Sequence, residues 1–137
     1  MVQYLRAQDR PNPDRVSPVG GSLDVSPFFG TWWNTNRATC GIPKVVLSGK
    51  DGRLMVQAFG ADEDAAVDWG EVKADVIYAD SLHAREGMAF TARYDFGFME
   101  THLGGNLNQG LLVIGIYNTF KDDSKRADYF NREFYYR

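Results

Sequence analysis

Eight short segments of alternating apolar and polar residues, separated by glycine- and aspartate-rich turns, occupy this chain from residue 28 to residue 137. A period of two marks strands with one face in a core and the other in water. The segments fall at 28–36, 42–47, 54–58, 67–78, 88–94, 98–107, 111–120 and 127–136. The clearest is 67–78, where Gly70, Val72, Ala74, Val76 and Tyr78 share one face and Trp69, Glu71, Lys73 and Asp75 the other. Asp51-Gly52 has the composition of a two-residue hairpin turn, and Asp95-Phe96-Gly97 of a tight reversal. Gly104-Gly105 reads as a bulge or bend within a strand. No helical run of three turns competes; only 79–84 and the N-terminal stretch leave room for a short helix.

Short connections suit a nearest-neighbour meander better than Greek-key crossovers. A last strand at 127–136 can pair with the first and remove both sheet edges. The predicted fold is all-β: an eight-stranded antiparallel up-and-down barrel over residues 28–137. An irregular arm over residues 1–27, rich in Pro, Gly, Asp and Ser, precedes it. A closed barrel of eight strands packs solid or holds one small ligand.

Composition narrows the partners. Aromatics reach 14%, enough to line a pocket for a flat or greasy molecule. With a net charge of −3 and no basic stripe, nucleic acid is not an expected partner. Neither a secretory leader nor a membrane-length apolar run is visible, so the expected location is cytoplasmic, with no membrane partner. One cysteine and two histidines do not make a metal site, and no phosphate-cradling or dinucleotide motif is present, so no cofactor is expected. Cys40 reads as an inert small residue and His83 as a solvated one.

Phe29-Gly30-Thr31-Trp32 resembles the Gly-x-Trp signature that opens the first strand of lipocalin and avidin barrels, the calycins. The resemblance implies a calycin-like barrel in which Gly30 lets the chain bend and Trp32 closes one end. It also implies a basic partner such as Arg132 or Arg137 stacked on the Trp32 indole.

Candidate chemistry centres on the fifth and sixth strands. Phe98, Glu100 and His102 share one face, and Met99, Thr101 and Leu103 the other. With the first face inward, Glu100, His102 and Tyr94 become candidates for general acid–base catalysis. With the second, more apolar face inward, Glu100 and His102 meet solvent. The candidate ligand-binding residues are Trp32, Tyr78, Phe90, Phe98, Tyr117 and Tyr135, each able to point an aromatic body inward. Glu133 is a further candidate inward carboxylate.

The expected function is binding of a small hydrophobic or aromatic molecule, as a carrier or as a cofactor-independent cyclase or isomerase of secondary metabolism. The alternative is a carbohydrate-binding module using exposed Trp33 and Trp69. The seventh strand is apolar on both faces, with Leu111, Val113 and Tyr117 opposite Leu112, Ile114 and Ile116, and this points to a homodimer.

Overall fold

The computed structural model describes residues 23–137. Residues 1–22 of the expected arm lie outside the described residues. A short 3₁₀ turn, Ser26–Phe28, leads into nine strands. They are β1 Gly30–Asn34, β2 Lys44–Lys50, β3 Arg53–Gly60, β4 Val67–Lys73, β5 Val76–Tyr78, β6 Ala89–Asp95, β7 Met99–Asn108, β8 Leu111–Phe120 and β9 Tyr129–Tyr136. All pair antiparallel in one sheet of order β4-β3-β2-β1-β9-β8-β7-β6-β5.

The all-β expectation is met, with β1 paired to β9 as the sequence suggested. The ladder differs from the expected eight-stranded closed one: it holds nine strands, and β4 and β5 are its ends. The cause lies in the segment expected as one strand over 67–78. Its first part pairs with β3 and its last with β6. At the joint, the Ala74 N–H donates to Leu54 O at 2.9 Å and the Asp75 N–H to Thr91 O at 2.7 Å. Adjacent residues thus bond to opposite ends of the sheet.

A bulge adds to the change. Phe59 pairs with Asp68 and Gln57 with Glu71, so Trp69 and Gly70 together oppose Ala58. Gly70 takes a φ of +89°, which glycine tolerates without Cβ strain. The bulge puts Trp69 on the same inner side as Val72 and Ala74; past the Ala74–Asp75 joint the inward position passes to Ile77, and Tyr78, expected on the inner face, is exposed.

Between β4 and β6 the link is a side chain. The Tyr94 hydroxyl lies 2.7 Å from Gly70 O and 3.1 Å from Val56 O, and it accepts the Ala58 N–H at 3.0 Å. That amide needs this acceptor because the bulge removes its ladder partner. Burial pushes the Tyr94 hydroxyl above its ordinary pKa.

One half of the interior is filled. Phe28, Trp32, Leu47, Leu54, Phe90, Leu103 and Leu112 are fully buried there, each contributing about 1.5–3 kcal/mol by transfer from water. Gly105 lies directly under Phe90, where a Cβ would come within 2.4 Å of the ring. The ladder runs unbroken through Gly104 and Gly105. Gly105 therefore serves packing, and the expected bend is absent.

Trp32 is fully buried at this end. Its Nε1–H donates to Phe28 O at 2.8 Å, and the Arg137 guanidinium stands 4.5 Å from its ring centroid. Arg137 also donates to Pro27 O and Phe29 O at 2.9 and 2.8 Å, holding the entry turn against the last strand. Gly30 takes a φ of +141° at the bend.

Candidate functional site

Toward the opposite end the interior opens into a cavity of about 630 Å³. Its wall comes from the β1–β2 connection (Asn36, Thr39, Cys40, Gly41), from Trp69 of β4, Met99 of β7, Ile116 and Asn118 of β8, and Tyr129, Asn131 and Glu133 of β9. Inward alternation delivers the last strands' share: Leu112, Ile114, Ile116 and Asn118 point in from β8, and Asn131, Glu133 and Tyr135 follow from β9. Asn118 and Asn131 carry the apolar inner face into a polar floor.

Glu133 organises that floor. Its carboxylate accepts from Asn34 Nδ2 at 2.8 Å, from the Ile42 N–H at 3.3 Å and from the Thr39 hydroxyl. The Tyr135 hydroxyl sits 3.0 Å from it and 2.7 Å from Ile42 O, donating to one of the two at a time. Burial, and then the Glu133 charge, push the Tyr135 hydroxyl far above its ordinary pKa, so Tyr135 stays protonated. These bonds tie the β1–β2 connection down onto β9 from more than ninety residues away in sequence. Gly41 permits the approach, since a Cβ there would lie 2.9 Å from Glu133 Oε1 and 3.2 Å from Asn131 Nδ2. Both carboxylate oxygens accept from donors of the fold, so Glu133 anchors the β1–β2 connection.

Trp69 forms the apolar side. The bulge at Gly70 turns its indole inward, where it packs edge-on against Tyr94 and Phe96 at 5.4 and 5.0 Å. Gly60 makes the space, because a Cβ there would meet Trp69 Nε1 at 2.5 Å. At the rim, Tyr129 stacks near Phe120, over which the Arg126 guanidinium sits at 4.1 Å.

The residues expected to act lie elsewhere. Glu100 and His102 point outward from β7: His102 Nε2 is 2.8 Å from Glu100 Oε1, with Arg93 at 3.5 Å. The inner face of that strand carries Thr101 and Leu103, as the second of the two readings required. Tyr94 is buried as a tie between strands, and Trp32 and Phe90 belong to the filled half. Phe98, Tyr78 and Tyr117 are exposed on the outside. Tyr135 is fully buried and reaches the site only through Glu133.

Parity explains these misses. Phe98 and Tyr117 occupy outward positions, and alternation gives a face but no depth within the interior. A usable signal for the missed residues was present: Asn118 continues the buried series Leu112, Ile114, Ile116, and an amide in such register implies a lined polar pocket. Trp33 and Trp69 form no common platform, since Trp33 lies on the outer face beneath Lys44 while Trp69 faces the cavity. Among the described residues, no three His, Cys, Asp or Glu side chains come together as a metal-binding group. No helix among them is long and apolar enough to cross a membrane. Comparison with protein-family models, with curated proteins and with solved structures finds no match for this chain.

Proposed function

We propose that the protein binds a small, largely apolar molecule in the open half of a calycin-like barrel. In this reading the sheet acts as a closed eight-stranded wall, its β4–β6 seam sealed by Tyr94 and Trp69 in place of a ladder. Gly30 and the capped Trp32 support the likeness to lipocalins and avidins in architecture. The carrying observation is the cavity of about 630 Å³, walled by Trp69, Met99, Ile116 and Tyr129 over a floor of amides and one carboxylate. Such a volume and lining suit a compact organic ligand.

A binding role is the best-supported one because the carboxylate on the cavity floor, Glu133, with Tyr135 behind it, is engaged in holding the fold. The polar floor favours a second reading, a cofactor-independent cyclase or isomerase. Such catalysis would act by shaping its substrate and hydrogen-bonding to it rather than by proton transfer. Outward Leu111, Tyr117, Phe130 and Phe134 on the neighbouring strands β8 and β9 support self-association through that face. The test of the binding reading uses Cys40, a free and exposed thiol on the cavity wall. Naphthalene should quench tryptophan fluorescence in the untreated protein, and alkylating Cys40 with a bulky maleimide should weaken binding at least tenfold. Equal binding before and after alkylation would place the probe elsewhere and defeat the reading.

A further inference from the structure

With the cavity as the binding site, a condition carried over from the proposed binding role, its polar floor specifies more than an apolar ligand. Two carboxamides stand on neighbouring strands: Asn118 of β8 pairs in register with Tyr129, and Asn131 of β9 with Ile116. The two are diagonal neighbours on the inner face, about 7–8 Å apart at the backbone, so their amide ends converge within reach of one molecule. Their hydrogen-bonding states are complementary. Asn118 Oδ1 accepts the Thr101 hydroxyl at 2.6 Å, so Nδ2 is the group it offers the cavity. Asn131 Oδ1 is buried with no hydrogen-bond partner among the described residues.

An unpaired buried carbonyl oxygen destabilises the protein that carries it. The donors around Glu133, on Thr39, Asn34, Ile42 and Tyr135, are all engaged with Glu133 or Ile42 O. None of these is left for Asn131. Rotation about χ2 of asparagine is soft, so a swing of the carboxamide turns its oxygen toward the opening. Among the described residues no Lys, Arg or His lines the cavity; the Glu133 carboxylate shares the floor, and Asp62 stands exposed at the rim. An anion therefore meets the Glu133 carboxylate with no basic side chain to offset it, and a cation meets a carboxylate already supplied with donors.

The geometry points to a neutral ligand bearing a donor–acceptor edge on an apolar planar body, such as the H–N–C=O edge of a lactam. Its N–H is the donor that Asn131 Oδ1 lacks, and its carbonyl accepts from Asn118 Nδ2. Trp69 and Ile116 enclose the apolar body.

Three probes of nearly equal size separate the donor–acceptor edge from the binding role beneath it: 2-quinolone, N-methyl-2-quinolone and naphthalene, titrated by calorimetry. The wild-type protein should bind 2-quinolone about tenfold more tightly than its N-methyl derivative, the value of one buried hydrogen bond. Asn131→Leu should bring that ratio near unity while naphthalene still binds. A second readout needs no variant: the Asn131 side-chain NH₂ resonances should shift with 2-quinolone and stay in place with naphthalene. If naphthalene binds the cavity and the two quinolones bind equally, the donor–acceptor edge is refuted and the cavity reading stands. A tenfold ratio that persists in Asn131→Leu refutes the role of Asn131. If none of the three probes binds, the cavity reading itself falls, and the donor–acceptor edge with it.

Discussion

Gly104 and Gly105 are adjacent on β7, neither has a positive φ, and both pair in register with β6 and β8. A substitution by alanine at either position therefore differs only in what the new methyl group meets. At Gly105 it would lie 2.4 and 2.5 Å from two carbons of the Phe90 ring. Phe90 is fully buried and stacked edge-on against Phe28 at 5.5 Å, so it has no open direction to move. Overpacking of that kind costs about 1–3 kcal/mol. At Gly104 nothing lies within 4 Å of the new methyl group. Replacing glycine there restricts the unfolded chain and stabilises by about 0.4–1 kcal/mol. For a domain of this size the Gly105→Ala loss corresponds to a fall of about 3–15 °C in Tm. Thermal and urea denaturation of both single variants, followed by circular dichroism, measure the contrast. Equal Tm values, or a more stable Gly105→Ala, would refute the claim that this half of the interior is packed solid around Phe90.

The seam and the floor carry three further expected outcomes. Gly60→Ala, whose methyl would strike Trp69, should cost about 1–3 kcal/mol and weaken naphthalene binding, as read by denaturation and titration; unchanged binding would mean Trp69 is not a cavity wall. Tyr94→Phe leaves the buried Ala58 N–H unpaired and should cost about 1–3 kcal/mol, with faster hydrogen exchange at Ala58 than in the wild type; equal exchange would remove Tyr94 from the seam. Tyr94 and Tyr135 both have folded-state pKa values raised above the ordinary 10.0, chiefly by burial. Their contribution to stability is complete below pH 10 and is lost as pH rises past it, because only the unfolded chain releases those protons readily. Absorbance at 295 nm during an alkaline titration should show both ionising together with unfolding, and early ionisation of all seven tyrosines would contradict their burial.

Much of the sheet was legible because period-two alternation survives wherever the ladder is regular. The segment read at 111–120 coincides with β8, and Asp51 and Gly52 adopt the positive φ angles of 54° and 75° that their turn was expected to need. The divided strand was not legible. Val72 and Ala74 keep the expected inward face past the bulge, but at the Ala74–Asp75 joint the inward position passes to Ile77, so the apparent face containing Val76 and Tyr78 dissolves. The site was hidden for a different reason. Its floor depends on contacts between residues 34–42 and Glu133, a separation over which sequence pattern carries no register. Aromatic side chains drew attention to the wrong positions, because on this sheet Tyr78, Phe98 and Tyr117 face outward.

A ligand-bound two-dimensional ¹H–¹⁵N spectrum tests the account most directly. On addition of 2-quinolone, the Trp69 indole, the Gly41 amide and the Asn118 and Asn131 side-chain resonances should move together, while the Trp32 indole in the filled half stays fixed. Movement confined to Trp33, Tyr117 and Phe130 on the outer face, or to Trp32, would contradict an interior that is packed at one end and open to a ligand at the other.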